Sequence, residues 1–155
     1  MHQYLVILTM ILTSAIVKAQ ELAPEFSFNE ENGTSAMLSD LRGEVLYVSF
    51  WASWCKPCIA NFAKYSDTRE RLERMGVILL NVNIDQSEEK WRQSIKAYSI
   101  SGQHVRGKDL DELQSVYQLY SIPSYEIINK KGEFVYLSNT GSRDIFEEFK
   151  SWLKE

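Results

Sequence analysis

Cysteine and histidine are scarce in this chain of 155 residues, which contains two of each. A structural zinc site usually needs four Cys or His ligands, so the composition argues against a metal site. Two cysteines are also too few for a fold that depends on disulfides. We therefore expect the pair, Cys55 and Cys58, to be chemically active rather than to form a structural disulfide.

Repeats, low-complexity runs and dense basic patches are missing as well. The formal net charge of −4 comes with no basic surface of the kind that binds nucleic acid. Apolar content and charge are ordinary for a globular protein, and the length suffices for one domain with a sizeable core. We expect a single folded domain without a nucleic-acid partner.

The longest uncharged apolar run, residues 4–17, is short for a spanning helix, which needs ~20 residues. Val17 and Ala19 are small residues placed for cleavage before Gln20, which is typical of a signal peptide, although no Lys or Arg precedes the run. We expect a signal peptide in residues 1–19, a domain in residues 20–155, and membrane contact only if the segment stays uncleaved. The expected location is periplasmic or otherwise extracytoplasmic, where disulfides persist.

The two cysteines lie at the junction of a predicted strand and a predicted helix. Residues 45–50 are apolar enough for a buried strand, and a helical pattern runs over residues 57–75. Cys55 is then near the N-cap and Cys58 in the first turn, where free N–H groups and the helix dipole stabilise an anion. A thiol there ionises more easily, and the thiolate is the nucleophile. The junction predicts a redox-active dithiol.

Two other interpretations of the pair stay open at this point. A Cys-His hydrolase would need one cysteine and an orienting histidine, and it would leave the second cysteine unexplained. An inert disulfide that closes so short a loop would add little stability, because loop-closure entropy grows with loop length.

The rest of the chain predicts alternating strands and helices. We expect a hairpin around Asn32-Gly33, strands at 77–84, 125–128 and 133–137, and an edge strand at 103–106. Helices are expected at 88–99, 109–120 and 143–154, the second with Leu110, Leu113, Val116, Tyr117 and Tyr120 inward. On the helix after the cysteines, one face carries Cys58, Phe62, Tyr65, Arg69 and Leu72, which we interpret as core packing. This order predicts an α/β fold with a mixed sheet.

With these residues the chain resembles thioredoxin-fold thiol–disulfide oxidoreductases, most closely the extracytoplasmic TlpA/ResA-like branch. The motifs that carry the resemblance are Trp54-Cys55-Lys56-Pro57-Cys58, Leu38-Ser39-Asp40-Leu41-Arg42-Gly43, Asn83-Ile84-Asp85 and Ile122-Pro123-Ser124. The resemblance implies a thioredoxin-like fold with a central mixed β-sheet flanked by helices and an N-terminal β-hairpin extension. It also implies a reductant of disulfide-containing exported proteins, without a bound cofactor and fed by an upstream thiol-redox partner.

The resemblance also gives roles to single positions. Cys55 is expected to be the exposed attacking thiolate, and Cys58 the buried thiol that resolves the mixed disulfide. Pro123 matches the cis-proline that faces the two cysteines and lets residue 122 pair with a substrate backbone. The full set of expected substrate-binding residues is Trp54, Lys56, Pro57, Ile122 and Pro123.

Three positions depart from the family pattern. Ser49 and Asn61 stand where relatives often carry a carboxylate that can exchange a proton with the buried thiol, and Ser121 replaces a glycine near the substrate groove. The missing acids motivate an alternative function, a redox-switched protein-binding module with little turnover. A peroxidase of the peroxiredoxin type is not favoured, because Thr and Pro do not precede the first cysteine.

Overall fold

The computed structural model describes residues 21–135 and 145–154. The strands are β1 (Ser27–Glu30), β2 (Ser35–Met37), β3 (Leu46–Trp51), β4 (Ile78–Asn83), β5 (Gln103–Gly107) and β6 (Ser124–Ile128). The helices are α1 (Lys56–Lys64), α2 (Ser66–Arg74), α3 (Glu88–Tyr98), α4 (Leu110–Val116) and α5 (Ile145–Lys154). The strands form one mixed sheet in the order β2-β1-β5-β4-β3-β6, which confirms the predicted fold class. The expected signal segment, residues 1–19, lies outside the described residues.

The N-terminal hairpin is present and extends the sheet. β1 and β2 pair antiparallel around a turn in which Gly33 has a φ of 89°, a conformation that glycine adopts without a steric penalty. β1 also pairs antiparallel with β5, where Phe28 lies opposite Gly107. The prediction that β5 is an edge strand was wrong, because the hairpin occupies the edge beyond it.

The long helix predicted after the cysteines is divided into α1 and α2. Tyr65, with φ −106° and ψ 19°, leaves the helical conformation, and its N–H still donates to Asn61 O at 3.0 Å. Neither proline nor glycine lies at this break. Tyr65 is the N-cap of α2 and makes no side-chain cap hydrogen bond, so the helix-start signal here is the acid in the first turn, Asp67.

α4 ends earlier than the sequence predicted. Asp109 caps its start by accepting from the Glu112 N–H at 2.9 Å, but Gln118 has a φ of 50° and cannot continue the helix. Leu113 and Tyr117 are buried as expected. Tyr120 is 91% exposed and Val116 is also exposed, so the inward orientation predicted for these two was wrong.

The chain reverses direction after β6. Asn129 donates its N–H to Glu133 O at 3.0 Å, and Val135 donates to Ile127 O at 3.0 Å, so the return is antiparallel. Up to Val135 it forms isolated bridges rather than a full strand. Residues 136–137 of the predicted strand and residues 143–144 of the predicted last helix lie outside the described residues.

The helices cover both faces of the sheet. On one face α4 packs against β5 so closely that a Cβ added at Gly107 would lie 2.8 Å from Leu113 Cδ2. On the other face the fully buried Trp51 packs edge-on against Phe62 of α1, with ring centroids 5.5 Å apart. Both cysteines belong to the larger of the two buried apolar clusters. None of the described helices is long and apolar enough to cross a membrane.

Candidate functional site

Cys55 and Cys58 form a disulfide at the start of α1. Cys55 is the N-cap residue of the helix, and Cys58 lies in its first turn, as the sequence predicts. The Cys58 N–H donates to Cys55 Sγ at 3.2 Å. When the disulfide is reduced, this N–H and the positive end of α1 are placed to stabilise a thiolate at Cys55.

The site combines buried sulfur atoms with an exposed rim. Cys55 is 4% exposed and Cys58 is 2% exposed, so the disulfide form does not show the exposed Cys55 that the resemblance implies. Trp54, in contrast, is 66% exposed, and Lys56 and Pro57 are exposed as well. These three exposed side chains border the buried Cys55, while Trp51 belongs to the core as expected.

Ile122 and Pro123 lie at the same end of the sheet as the cysteines, where β3 ends and β6 begins. The peptide bond between them is cis, as the resemblance implies. β6 begins immediately after Pro123, and its Ser124 lies opposite Phe50 near the end of β3, the strand that leads into the cysteine motif. Ile122 packs against the apolar cluster that contains both cysteines.

A buried carboxylate, that of Asp85 in the Asn83-Ile84-Asp85 motif, holds the loop before Cys55, a role that the sequence did not predict. Asp85 accepts from the Ser53 N–H and from the Ser53 hydroxyl, both at 2.8 Å. Asn83 Nδ2 donates to the same carboxylate at 2.8 Å, and Arg106 Nε donates to the backbone oxygen of Asp85 at 2.9 Å. Two signals in the sequence pointed to this place: Asn83 and Asp85 are polar residues at the end of the strand beside β3, and they belong to a motif that carries the family resemblance. We call Ser53, Asn83 and Asp85 the Asp85 clamp.

Two of the three departures from the family pattern, Ser49 and Asn61, are polar but carry no charge. Ser49 is buried in β3, and its Oγ has no hydrogen-bond partner. Asn61 Nδ2 donates to the Tyr125 hydroxyl at 2.9 Å. Glu126 on β6 is half-buried, and this burial raises the pKa of its carboxyl group. Within residues 21–135 and 145–154, no group of His, Cys, Asp and Glu is arranged to hold a metal ion.

A comparison with known protein families decides the family of the chain. The profile of the AhpC/TSA family matches residues 19–137, which is more than half of the sequence. The chain belongs to the AhpC/TSA family. Its similarity to curated relatives and to solved structures narrows this placement.

Among curated relatives, this AhpC/TSA protein is similar to thiol–disulfide oxidoreductases named ResA. It is 26% identical to that of Bacillus subtilis over 133 residues, which cover 85% of this chain and 74% of the relative. It is 26% identical to that of Halalkalibacterium halodurans, covering 90% of this chain and 80% of the relative. It is also 26% identical to the ResA of Geobacillus kaustophilus and spans 63% of that protein's length.

Solved structures agree on the fold. The thioredoxin domain of a thiol–disulfide oxidoreductase from Bacteroides vulgatus superposes with a TM-score of 0.73 at 20% identity, covering 86% of this chain and 96% of that one. A thiol–disulfide oxidoreductase from Bacteroides fragilis gives 0.69 at 23% identity, covering 84% and 98%. This AhpC/TSA protein is a TlpA/ResA-like thiol–disulfide oxidoreductase with a thioredoxin fold. The alternative of a binding module with little turnover is not favoured.

Proposed function

We propose that the reduced dithiol reduces disulfides of exported proteins outside the cytoplasm. The observation that carries the proposal is the Cys55–Cys58 pair at the start of α1, with the cis Ile122–Pro123 bond at the same end of the sheet. The relatives named ResA support thiol–disulfide exchange, and the direction of the reaction and the location are proposed from the family resemblance. The proposal includes an upstream thiol-redox partner that returns the disulfide to the dithiol, and no bound cofactor.

The proposed reaction has two exchange steps. Cys55 thiolate attacks one sulfur of the substrate disulfide, a mixed disulfide forms, and the other substrate sulfur leaves as a thiolate. Cys58, after losing its proton, attacks Cys55 Sγ, which forms the Cys55–Cys58 disulfide and releases the second substrate thiolate. Two electrons pass from the dithiol to the substrate, which takes up two protons as its thiolates become thiols.

Electrostatics at the helix start favour Cys55 as the attacking group. Its Sγ accepts from the Cys58 N–H, and Lys56 adds a positive charge on an exposed side chain, where screening keeps the effect modest. Cys58 lies one turn further into the helix and is 2% exposed. A substrate approaching over the exposed rim therefore meets Cys55 first.

The proposed docking surface is the rim of the two cysteines. Trp54 offers a large exposed apolar face, and Lys56 and Pro57 border it. Ile122 and Pro123 precede β6, so the backbone of Ile122 can pair with an extended substrate segment. Such pairing would recognise backbone rather than side chains, and this suits a reductant that acts on several proteins.

The decisive experiment traps the mixed disulfide. Cys58→Ala removes the thiol that resolves the mixed disulfide, so exported proteins with disulfides should stay attached to Cys55 in cells. The double variant Cys55→Ala/Cys58→Ala is the matched control and should capture none. In vitro, the reduced chain should reduce a disulfide protein, and Cys55→Ser should abolish turnover. A Cys55→Ser variant as active as the parent would disprove the mechanism.

A further inference from the structure

Two elements of the fold carry the two sides of the proposed docking surface. Cys55 and Cys58 lie at the start of α1, and Ile122 and Pro123 immediately precede β6. A substrate that is held at Ile122 and attacked by Cys55 reaches across both elements. The spacing between α1 and β6 therefore decides whether the two contacts can form at the same time.

One hydrogen bond joins these two elements directly. Asn61 Nδ2 donates to the Tyr125 hydroxyl at 2.9 Å. Asn61 lies one turn beyond Cys58 in α1, and Tyr125 is the second residue after Pro123 in the chain. Over the part of the chain that the structure describes, no other hydrogen bond links α1 to β6. We call Asn61 and Tyr125 the Asn61–Tyr125 tie.

The hydroxyl at the β6 end of the tie has a well-defined position. The Tyr125 ring stacks on the Tyr47 ring of β3, with centroids 5.7 Å apart and an interplanar angle of 26°. The backbone of Tyr125 lies opposite Ser49 in the ladder between β3 and β6. Because aromatic pairs across neighbouring strands stabilise the sheet, the ring gives α1 an anchor on the sheet. Tyr125 is 38% exposed, so the tie lies near the surface rather than in the core.

The other attachments of the cysteine segment lead to different strands. The Asp85 clamp joins Ser53 to the end of β4. Phe62 of α1 packs edge-on against Trp51 of β3. Neither contact includes a residue of β6. The tie is therefore the directional contact that relates the cysteine helix to the strand that follows Pro123.

The tie also gives a role to the departure from the family pattern at Asn61. Relatives often carry a carboxylate at this position, and a carboxylate can exchange a proton. An amide does not titrate near neutral pH, but it can donate and accept hydrogen bonds. Its contact with Tyr125 uses this capacity to join two elements. Asn61 is thus suited to holding the docking surface in shape rather than to transferring a proton.

We propose that this tie sets the spacing between Cys55 and the backbone of Ile122, which makes its two members positioning residues. The inference rests on the proposed function, because it needs a substrate that is bound at Ile122 while Cys55 attacks. A small misplacement of reacting atoms slows a reaction strongly. A substrate with a peptide backbone depends on the spacing, whereas a small disulfide that contacts Cys55 alone does not. The tie therefore favours disulfides in extended peptide segments over small disulfides.

The test compares two disulfides as substrates of the reduced full chain. One is the disulfide-linked dimer of a short peptide with a single cysteine, and the other is 2-hydroxyethyl disulfide, which has no peptide backbone. The measured quantity is the ratio of kcat/KM for the peptide to kcat/KM for the small disulfide. The net contribution of a neutral hydrogen bond corresponds to about fivefold in an equilibrium constant, so loss of the tie should lower this ratio by about fivefold.

Single and double variants separate the tie from the side chains that form it. Asn61→Ala removes the amide, and Tyr125→Phe removes the hydroxyl while the ring can still stack on Tyr47. Each should lower the ratio by about fivefold. The double variant should also lower it by about fivefold rather than about 25-fold, because both changes break the same bond.

A conservative variant tests whether the bond itself is responsible. In Asn61→Asp the carboxylate can accept from the Tyr125 hydroxyl, so the ratio should stay within about twofold of the parent. In the Tyr125→Phe background the same change has no hydroxyl to accept from, and the ratio should stay low. The added charge acts on both substrates, which is why the ratio rather than a single rate is compared.

Two variants on α3 are the matched controls. Gln93→Ala removes an amide that donates to Glu89 at 2.9 Å within one helix, and Tyr98→Phe removes the hydroxyl of an exposed tyrosine. Both should leave the ratio at the parental value. Urea unfolding shows that each variant is folded in the assay. If Asn61→Ala and Tyr125→Phe lower the free energy of unfolding but leave the ratio unchanged, the tie has only a structural role and the proposal is wrong.

Two further outcomes would overturn the proposal. These are losses that multiply in the double variant, and equal losses in the control variants on α3. If the parent reduces neither disulfide, the proposed function itself has failed, and this inference fails with it. If the parent reduces both and the ratio does not depend on the tie, the proposed function stands and only this inference is wrong.

Discussion

Removing the carboxylate of Asp85 should loosen the loop that carries the cysteines. In Asp85→Ala the Ser53 N–H, the Ser53 hydroxyl and Asn83 Nδ2 all lose their acceptor. Hydrogen bonds to a charged group contribute about 1.5–3 kcal/mol each, and buried donors without acceptors are penalised further. Because the hydroxyl can turn to another acceptor, we expect a total loss of roughly 3–5 kcal/mol in the free energy of unfolding.

The carboxamide variant distinguishes hydrogen bonding from charge. In Asp85→Asn the amide oxygen can accept from Ser53 N–H and Asn83 Nδ2, while the amide nitrogen donates to the rotated Ser53 hydroxyl. All three contacts can therefore persist, and only their charge assistance is lost, for which we expect about 1 kcal/mol. Asp109→Ala removes a single exposed cap on α4 and should also cost about 1 kcal/mol.

Urea unfolding of the oxidised chain and its variants measures these differences, provided that the slopes stay equal. The rate of disulfide reduction by the reduced forms, taken at a temperature where each variant is folded, tests the consequence for the site. A displaced Cys55 should slow reduction by about tenfold in Asp85→Ala. Asp85 does not hold the loop as described if Asp85→Ala is no less stable than Asp109→Ala, or if it reduces substrate at the parental rate.

Three further changes test other parts of the structure. Gly102→Ala should lower the free energy of unfolding in urea by about 3 kcal/mol or more, since φ is 95° and the new Cβ would lie 2.5 Å from Leu79 O. Gly43→Ala is the control, with φ 94° and open space around the new Cβ, and should lower it by about 1 kcal/mol. Equal losses in the two variants would contradict the clash at Gly102. Ser49→Ala should leave the free energy of unfolding within about 0.5 kcal/mol of the parent and the rate of disulfide reduction unchanged, because the buried Oγ has no hydrogen-bond partner. A slower variant would show that the hydroxyl takes part in the reaction. Burial lowers the pKa of His104 below 6.5, so the unfolded chain binds more protons than the folded chain as the pH falls. The contribution of His104 to the free energy of unfolding should therefore be complete above about pH 6.5 and decrease below it. His104→Gln should show a smaller decrease when the free energies of unfolding of parent and variant are compared over a pH series.

The central part of the candidate site could be predicted because its signals are local. An apolar β-branched run ends at Trp51, and Pro57 near a helix start tolerates its missing N–H. These two facts place Cys55 at the N-cap whatever the rest of the fold does. The cis bond before Pro123 has no local signal, and it was expected only from the family resemblance.

Features that depend on distant partners were missed. Arg69 was predicted to lie on the inner face of its helix, but its partners, Asn81 and Ser101, come from β4 and a later loop. The Asp85 clamp likewise joins residues 32 positions apart. Helix periodicity gave no warning of the break at Tyr65, and the core packing predicted for Tyr65 was wrong, since its side chain is 45% exposed. Cys58, Phe62, Arg69 and Leu72 are buried as expected.

The structure also bears on how the site works without the acids that relatives often carry. Ser49 and Asn61 do not titrate at neutral pH, and the carboxylate of Asp85 is engaged by Ser53 and Asn83. Apart from the exposed charge of Lys56, the groups placed to stabilise a Cys55 anion are the Cys58 N–H and the end of α1, which are dipoles whose strength does not change with pH. If Cys55 attacks as proposed, the first step itself produces a base, because one substrate sulfur leaves as a thiolate that can accept a proton. A proton passed from Cys58 to this thiolate would need no carboxylate. In this scheme the protein supplies a fixed electrostatic environment for the first thiolate, and the substrate supplies the base for the second.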